Sequence, residues 1–286
     1  MPAHRLNTVW VTGAGGLIGS YLVRTVATLS PDTQAVALTR AELDLTDFSS
    51  VAIHFRRDAP GAVFHCAALS RSPECEKDPV QARLQNVEVT RVLAELAAEI
   101  PFVFFSSDLV FDGAAGYYNE EAPANPLSVY AETKLEAEQI VLNNPRHLVL
   151  RTSLNGGQSP TGDRGFNEQM RRAWQNGQTL RFFTDEFRCP IAAEVTARAA
   201  WELFRKGVSG LFHVAGAERL SRWELGRMIA ARCPELDPKF EAASLRNYAG
   251  APRSPDTSLD CSRVLKHLSF TLPRFSEWLG NHREPF

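Results

Sequence analysis

Tyr130 and Lys134 have the residue types and the spacing for acid–base chemistry. They lie four residues apart in Tyr130-Ala-Glu-Thr-Lys134, and on a helix this spacing puts both side chains on one face. The phenol of a free tyrosine has a pKa of about 10, and a nearby ammonium group lowers that pKa because it stabilises the phenolate. Tyr130 could then give a proton to a ketone oxygen, or take one from an alcohol. The alternative is an exposed pair on a helix surface.

Two serine hydroxyls could assist this tyrosine. Ser106 and Ser107 end the run Phe102-Val-Phe-Phe-Ser-Ser107, whose short apolar stretch favours a β-strand. A hydroxyl at a strand end could donate a hydrogen bond to a carbonyl oxygen that gains negative charge during the reaction. We favour Ser107 for this role. The alternative is that both hydroxyls bond to the backbone of the following turn.

A glycine-rich turn near the start of the chain could hold a cofactor beside these groups. A short apolar run, Val9–Val11, is followed by glycines at the spacing Gly-x-x-Gly-x-x-Gly and then by apolar residues at helical spacing. Glycines let a ligand approach the backbone, and a helix N-terminus attracts an anion. We therefore expect a dinucleotide pyrophosphate here; the alternative is a turn without a ligand. The expected contacts are Gly13, Gly16, Leu17, Ile18 and Gly19 at the turn, and Tyr130 and Lys134 at the nicotinamide ribose.

The ends of the next two predicted strands supply the other candidate cofactor contacts. An acidic residue usually follows the second strand of an NAD-binding unit, whereas this chain has Thr39-Arg40 there. Since an arginine can bind the 2′-phosphate, we expect NADP to be preferred, with NAD also possible; the alternative is a solvated arginine that ends an edge strand. Small residues after the third strand leave room for the cofactor. The candidates in these segments are Arg40, Asp44, Leu45, Cys66, Ala67 and Ala68.

The order of elements predicts an α/β fold with a Rossmann-type doubly wound parallel sheet. Strands and helices alternate up to residue 152, as in a parallel sheet with crossover helices. We expect a dinucleotide-binding domain over residues 1–152 and a smaller C-terminal α/β substrate lobe over residues 153–286. The boundary is approximate, and the chain can cross back over it. The polar segment 71–79 is expected to form a loop over the site, and residues 79–98 a long helix.

Composition excludes several classes of protein. The chain has 286 residues and a net charge of −2, which gives no electrostatic reason to expect nucleic acid or an anionic membrane as a partner. No apolar stretch approaches the roughly 20 residues of a membrane helix. The five cysteines are scattered and the histidines have no ligand spacing, so we expect reduced thiols, no metal site and a cytoplasmic location.

Three longer motifs give a family resemblance that spans nearly the whole chain. Ser106-Ser-Asp-Leu-Val-Phe-Asp-Gly113, Pro126-Leu-Ser-Val-Tyr-Ala-Glu-Thr-Lys134 and Arg151-Thr-Ser resemble dTDP-4-dehydrorhamnose reductases, which are extended short-chain dehydrogenase/reductases. The later segments Asp185-Glu-Phe-Arg-Cys-Pro190 and Arg253-Ser-Pro-Asp-Thr-Ser-Leu-Asp260 agree. The chain departs from the family at Leu109 and Leu154, where a tyrosine and a tryptophan are usual, so aromatic surface at the sugar is lost and the identity of the sugar is left open.

The resemblance also implies roles for single residues. Ser107 takes the place of the family's threonine, and Tyr130 and Lys134 take the places of its catalytic tyrosine and lysine. Asn86 takes the place of an asparagine that helps to hold an ordered water; its alternative is a helix-surface amide. The substrate contacts expected are Ser107, Asp108, Tyr130, Arg188 and Arg253. The two arginines suit a diphosphate, and surface salt bridges are their alternative.

We therefore expect an NADP(H)-preferring reductase that acts on a keto group of a nucleotide-linked sugar, with a homodimer possible. One alternative is a sugar-nucleotide epimerase or dehydratase, in which the cofactor is returned unchanged. Another is a regulatory subunit that keeps the fold and the cofactor site but serves a different enzyme. Turnover of NADPH with a keto-sugar nucleotide distinguishes the reductase from both.

Overall fold

The computed structural model describes residues 8–282. Residues 1–7 and 283–286, which form the outer ends of the two predicted parts, lie outside the described residues. No helix in the described range is long and apolar enough to cross a membrane.

Strands and helices alternate through the first half of the chain. The strands are β1 (Thr8–Thr12), β2 (Gln34–Leu38), β3 (Ala62–His65), β4 (Phe102–Ser107), β5 (Leu148–Thr152), β6 (Asn155–Gly156), β7 (Leu180–Phe183), β8 (Phe187–Arg188), β9 (Ile191–Ala192), β10 (Gly210–Val214), β11 (Leu220–Ser221) and β12 (Phe240–Ala243). The helices are α1 (Leu17–Leu29), α2 (Phe48–Asp58), α3 (Ser72–Lys77), α4 (Pro79–Arg83), α5 (Val89–Leu96), α6 (Val129–Leu142), α7 (Phe166–Gln175), α8 (Ala193–Arg205), α9 (Arg222–Ala230), α10 (Ser262–Leu265) and α11 (Phe275–Asn281).

Six of these strands form a parallel sheet in the order β10-β5-β4-β3-β1-β2. From β1 the sheet grows toward β2 on one side and toward β3 on the other, so the strand order changes direction between β1 and β3. In open α/β sheets, ligands bind at such a switch point, outside the carboxyl ends of the strands. The glycine turn and the residues after β3 lie there.

Apolar side chains cover both faces of this sheet, as its unbroken apolar strands predict. On one face Trp201 of α8 is fully buried, its ring centroid lies 4.5 Å from that of Phe64, and its Nε1 donates to Leu22 O of α1 at 3.2 Å. On the other face Trp10 and Phe104 pack in a cluster with α2, α5 and α6. Helix α6, which carries Tyr130 and Lys134, is thus fixed against the sheet.

The rest of the chain forms a smaller part with its own core. Phe166, Trp174, Phe182 and Phe275 belong to a separate apolar cluster that joins α7, α9 and α11. The segment 193–214 is different, because α8 packs on α1 and β10 pairs with β5. The outer strand of the sheet, β10, therefore comes from beyond residue 152, so the chain crosses back over the predicted boundary.

The segment that was expected to be a loop over the site is largely helical. Helix α3 holds the fully buried Cys75, whose Sγ contacts Leu69 O at 3.3 Å. Glu76 Oε1 accepts a hydrogen bond from Val129 N, at the start of α6, at 2.8 Å. The expectation of a loop was wrong because the polar composition of this segment does not reveal its contacts with α6.

Candidate functional site

The turn between β1 and α1 has no room for side chains at two of its glycines and little room at a third. Gly13 has a φ of +68°, a conformation that favours glycine, and a Cβ built there would lie 2.6 Å from Ala67 N. A Cβ at Gly19 would collide with Gly13 O, and one at Gly16 would lie 3.1 Å from the same atom. A Cβ at Gly15 would make only an ordinary contact at 3.6 Å. Packing thus excludes a side chain at Gly13 and Gly19 and disfavours one at Gly16, which matches the three-residue spacing read from the sequence.

Helix α1 begins at this turn without a capping side chain. Its N-cap is Gly16, and its first turn contains no acidic residue. The N–H groups of Leu17 and Ile18 have no acceptor within the helix. Because free N–H groups and the helix dipole favour negative charge, this cradle fits the pyrophosphate of a dinucleotide.

The end of β2 carries charges of both signs. Arg40 and Asp44 are exposed, and Leu45 is half-buried against the sheet core. Glu42, which the sequence analysis did not single out, accepts hydrogen bonds from Thr39 N at 2.9 Å and from Thr39 Oγ1. These bonds lower the pKa of Glu42, so a carboxylate stands two residues from Arg40. Arg40 suits a 2′-phosphate, whereas a carboxylate suits a ribose hydroxyl.

Small, half-buried residues follow β3 at the switch point. Cys66, Ala67 and Ala68 lie beside the glycine turn, with Ala67 N at the place where a side chain on residue 13 would have to go. Burial raises the pKa of the Cys66 thiol, so this group stays neutral. These residues leave space for a ligand and contribute little polarity.

His65, the last residue of β3, links β1 to α5 through hydrogen bonds. Its Nδ1 lies 2.7 Å from Thr12 Oγ1, and its Nε2 lies 3.0 Å from Thr90 Oγ1. Since Thr90 Oγ1 donates to Asn86 O at 2.7 Å, it must accept from His65 Nε2, which therefore carries the proton. Burial and the charge of Lys134 lower the pKa of His65 to about 3. The ring is therefore neutral at physiological pH.

Asn86 lies in a π-helical turn, Leu84–Glu88, between α4 and α5. Its Oδ1 accepts from Leu69 N at 2.7 Å, and its Nδ2 donates to Leu69 O at 3.1 Å and to Thr133 Oγ1 at 3.0 Å. The side chain is 1% exposed, so the alternative of a surface amide is excluded. Asn86 joins the segment after β3 to α6, and its role with an ordered water stays a prediction.

Ser107 is held at the end of β4 beside a buried carboxyl group. Its Oγ accepts from Leu109 N at 3.2 Å and donates to Asp108 Oδ1 at 3.3 Å. Asp108 Oδ2 accepts from Ser153 Oγ at 2.7 Å and from Thr257 Oγ1 at 3.0 Å. Burial raises the pKa of Asp108. The hydrogen bond to the backbone of the following turn, which was the alternative role for Ser107, is therefore present. Ser107 also has a side-chain partner in Asp108.

Tyr130 lies half-buried in the first turn of α6, whose N-cap Ser128 accepts from Ala131 N at 3.3 Å. Burial raises the pKa of the phenol, a hydrogen bond with Ser107 lowers it, and the nearby Asp108 raises it again. The phenol is therefore protonated and able to donate. The structure brings Ser107 to Tyr130, whereas the buried Ser106 Oγ has no hydrogen-bond partner among the described residues.

Lys134 is buried one turn further along α6. Its Nζ lies 3.9 Å from the centre of the Phe104 ring, and burial lowers its pKa to about 7 against the attraction of Glu138. Lys134 is not among the groups that shift the pKa of Tyr130. The expectation that Lys134 lowers the pKa of Tyr130 stays a prediction.

Arg188 and Arg253 meet at one buried carboxylate. Arg253 binds both oxygens of Glu186, at 2.6 and 3.0 Å, and Arg188 lies 3.1 Å from Glu186 Oε1. Arg188 Nε also lies 3.8 Å from Asp108 Oδ2, which connects the cluster to Ser107. Both arginines are in salt bridges, and the carboxylate they share is buried. Arg222, at the start of α9, borders the same cluster; a single arginine outside any motif gave no signal in the sequence.

Leu109 and Leu154 are the two positions at which this chain departs from the family pattern. Leu109 is half-buried beside Ser107, and Leu154 packs against the core of the smaller part. Within residues 8–282, no group of three or more histidine, cysteine, aspartate or glutamate side chains is placed to hold a metal ion.

Comparison with known proteins identifies the family of this chain. A family model described as the RmlD substrate binding domain matches residues 7–284. The chain belongs to this family. The dTDP-4-dehydrorhamnose reductase of Sinorhizobium fredii is 30% identical over 93% of each chain. A probable low-salt glycan biosynthesis reductase of Haloferax volcanii is 33% identical over 95% of each chain.

A solved structure agrees with these relatives. The hypothetical dTDP-4-dehydrorhamnose reductase from Sulfolobus tokodaii superposes with a TM-score of 0.82 at 29% identity, and covers 93% of this chain and 96% of its own. The predictions of a Rossmann-type α/β fold, of the family and of an extended short-chain oxidoreductase are confirmed.

Proposed function

We propose that this protein reduces a keto group on a nucleotide-linked deoxysugar and takes the hydride from NADPH. The observation that carries the proposal is the contact of Ser107 with the protonated phenol of Tyr130 at the end of β4, next to a glycine cradle shaped for a pyrophosphate. A relative over 93% of the chain is named dTDP-4-dehydrorhamnose reductase, and one over 76% of the chain is named dTDP-4-keto-6-deoxy-D-glucose reductase. Both names support a 4-keto-6-deoxy sugar linked to dTDP as substrate.

Different residues of this chain have different roles at the carbonyl group. Bound NADPH would supply a hydride to the carbonyl carbon. Tyr130 donates its proton to the carbonyl oxygen, which becomes a hydroxyl group. Ser107 turns its single hydroxyl proton from Asp108 Oδ1 to the same oxygen and stabilises its developing charge. Lys134 holds the nicotinamide ribose, and Asp108 keeps Ser107 oriented.

NADP as the cofactor rests on Arg40 at the end of β2. A solved structure of the same fold, from Bacillus anthracis, is described as a complex with NADP. Glu42 opposes this preference, since a carboxylate repels a 2′-phosphate. We infer a cytoplasmic enzyme and a homodimer; light scattering of the purified protein tests the assembly.

The test is oxidation of NADPH with dTDP-4-keto-6-deoxyglucose, followed by its absorbance and by analysis of the sugar product. We expect one reduced sugar nucleotide for each NADPH consumed. A changed sugar without net NADPH oxidation would indicate an epimerase or dehydratase. No turnover with dTDP-, UDP- or GDP-linked keto sugars would contradict the proposal and would favour a regulatory subunit, because related chains are named methionine adenosyltransferase 2 subunit beta.

A further inference from the structure

Arg222 occupies a fixed position at the edge of the buried arginine cluster. It is the first residue of α9, and its backbone N–H donates to Glu186 O at 2.8 Å. The helix start is locked by a reciprocal pair, in which Ser221 Oγ accepts from Glu224 N at 3.1 Å and Glu224 Oε2 accepts from Ser221 N at 2.8 Å. The backbone of Arg222, from which the side chain extends toward the cluster, is therefore anchored before any ligand arrives.

The carboxylate at the centre of this cluster is already committed to the other two arginines. Glu186 Oε1 has Arg188 at 3.1 Å and Arg253 at 3.0 Å, while Glu186 Oε2 has Arg253 at 2.6 Å. Arg188 also donates to the carbonyl groups of Phe187 and Ser254, at 2.8 and 3.0 Å. Both guanidinium groups that the sequence suggested for a diphosphate thus have protein partners.

The guanidinium group of Arg222 has no such partner. Among residues 8–282 it donates no hydrogen bond and forms no ion pair, although the side chain is half-buried. Burial lowers its pKa to about 10 despite the attraction of Glu186, and the charges of Arg188 and Arg253 lower it as well. An unpaired, partly buried charge beside like charges is costly. Three guanidinium groups face two carboxyl groups, Asp108 and Glu186, so one positive charge is left over.

An aromatic surface lies next to this excess charge. The Arg253 guanidinium carbon lies 5.2 Å from the ring centre of Phe183 and 5.8 Å from that of Tyr248, and the two rings meet edge to face at 5.3 Å. Tyr248 is 42% exposed. A planar base could stack on such a ring, so a phosphate site and a stacking surface stand side by side.

We infer that Arg222 is the guanidinium group that binds the diphosphate of the nucleotide part of the substrate, while Glu186 keeps Arg188 and Arg253 in place around it. This inference rests on the proposed function and extends it from the reacting sugar to the nucleotide. A guanidinium fork matches two phosphate oxygens, and a diphosphate neutralises the excess charge. With leucine at positions 109 and 154, less aromatic surface is available to the sugar, and the nucleotide carries more of the binding.

The test is calorimetric titration of the full-length protein with dTDP, using Arg222→Gln and the matched control Arg227→Gln, an exposed arginine on the same helix. We expect Arg222→Gln to weaken dTDP binding about ten- to a hundredfold, and to leave NADPH affinity unchanged. Arg227→Gln should bind both as the wild type does. Without ligand, Arg222→Gln should melt at the same or a higher temperature, because removal of an unpaired charge relieves repulsion.

The outcomes separate this inference from the proposed function. If dTDP binds and Arg222→Gln weakens it, the inference holds even where no keto sugar is turned over. If the wild type reduces a keto-sugar nucleotide and Arg222→Gln has the same KM and dTDP affinity, the inference is wrong and the proposed function stands. A lower melting temperature with unchanged dTDP affinity would also overturn it, because Arg222 would then be structural. Absence of any dTDP binding by the wild type overturns it outright.

Discussion

At the scale of single residues, Tyr130 is the group on which the proposed chemistry depends. Burial keeps its phenol protonated, and Ser107 supplies the hydrogen bond that favours release of the proton. Tyr130→Phe retains the ring and removes only the hydroxyl group. We expect a loss of turnover of about 10²–10⁴, with NADPH affinity and melting temperature nearly unchanged. Ser106→Ala, next to Ser107 on the same strand, is the control and should keep near-normal turnover. Normal turnover by Tyr130→Phe would contradict the mechanism.

The charges of Arg40 and Glu42 are expected to affect NADPH affinity in opposite directions. Arg40→Ala removes the cation that would meet the 2′-phosphate, so NADPH should bind about tenfold or more weakly while NADH is spared. Glu42→Gln removes a negative charge at the same strand end and should strengthen NADPH binding. Fluorescence titration with both cofactors measures each effect. Unchanged affinities of both variants for NADPH and NADH would show that neither residue selects the cofactor.

At the scale of elements, local sequence patterns predicted the segments that carry the candidate site residues. They did not predict the elements that hold those segments in place. The glycine turn and α6 were predictable, because the spacing of Gly13, Gly16 and Gly19, and of Tyr130 and Lys134, is a property of adjacent residues. Helix α3, the π-helical turn and the position of Arg222 depend on contacts between segments far apart in sequence. The contact of Lys134 with the Phe104 ring is of the same kind, since Phe104 lies 30 positions away along the chain.

The hydrogen-bond chain through His65 couples β1 to the helix behind the site. Its pKa of about 3 in the folded protein lies below the ordinary 6.5, so the unfolded chain binds the proton more readily as the pH falls. The contribution of His65 to stability is therefore complete above pH 6.5 and is lost as the pH falls from about 6.5 toward 3. In this window one such group contributes up to about 1.4 kcal/mol of unfolding free energy for each pH unit.

His65→Asn should consequently unfold with a weaker dependence on pH between about 4 and 6.5 in urea titrations. It should also bind NADPH less tightly, because Thr12 and Ala67 flank the glycine turn. The control is His213→Asn: His213 is buried with a pKa of about 3 and contacts Tyr118 O at 3.0 Å, away from that turn. It should lose the same pH dependence and retain NADPH affinity. Identical behaviour of both variants toward NADPH would show that His65 has no special role in positioning the turn.

At the scale of the whole molecule, the core on one face of the sheet is completed by elements that follow residue 152, while the smaller part keeps a separate apolar cluster. The face of the sheet that holds Phe64 is covered by Trp201 of α8, and β10 completes the sheet beside β5. Both elements follow residue 152 in the chain. Local sequence patterns do not show that they pack back against the first half of the chain. The nucleotide cofactor site is therefore expected to need residues that follow the first half of the chain.

A fragment of residues 1–152 tests this dependence. Without α8 and β10, the partners of Trp201 face water and β5 becomes an exposed apolar edge, which favours association between chains. We expect the fragment to bind a hydrophobic dye, to unfold without a cooperative transition and to bind no NADPH, whereas the full chain binds NADPH and unfolds cooperatively. Circular dichroism and dye fluorescence make both measurements. Cooperative unfolding of the fragment with the NADPH affinity of the full chain would show that its sheet is independent, and that α8 and β10 only cover a core already stable without them.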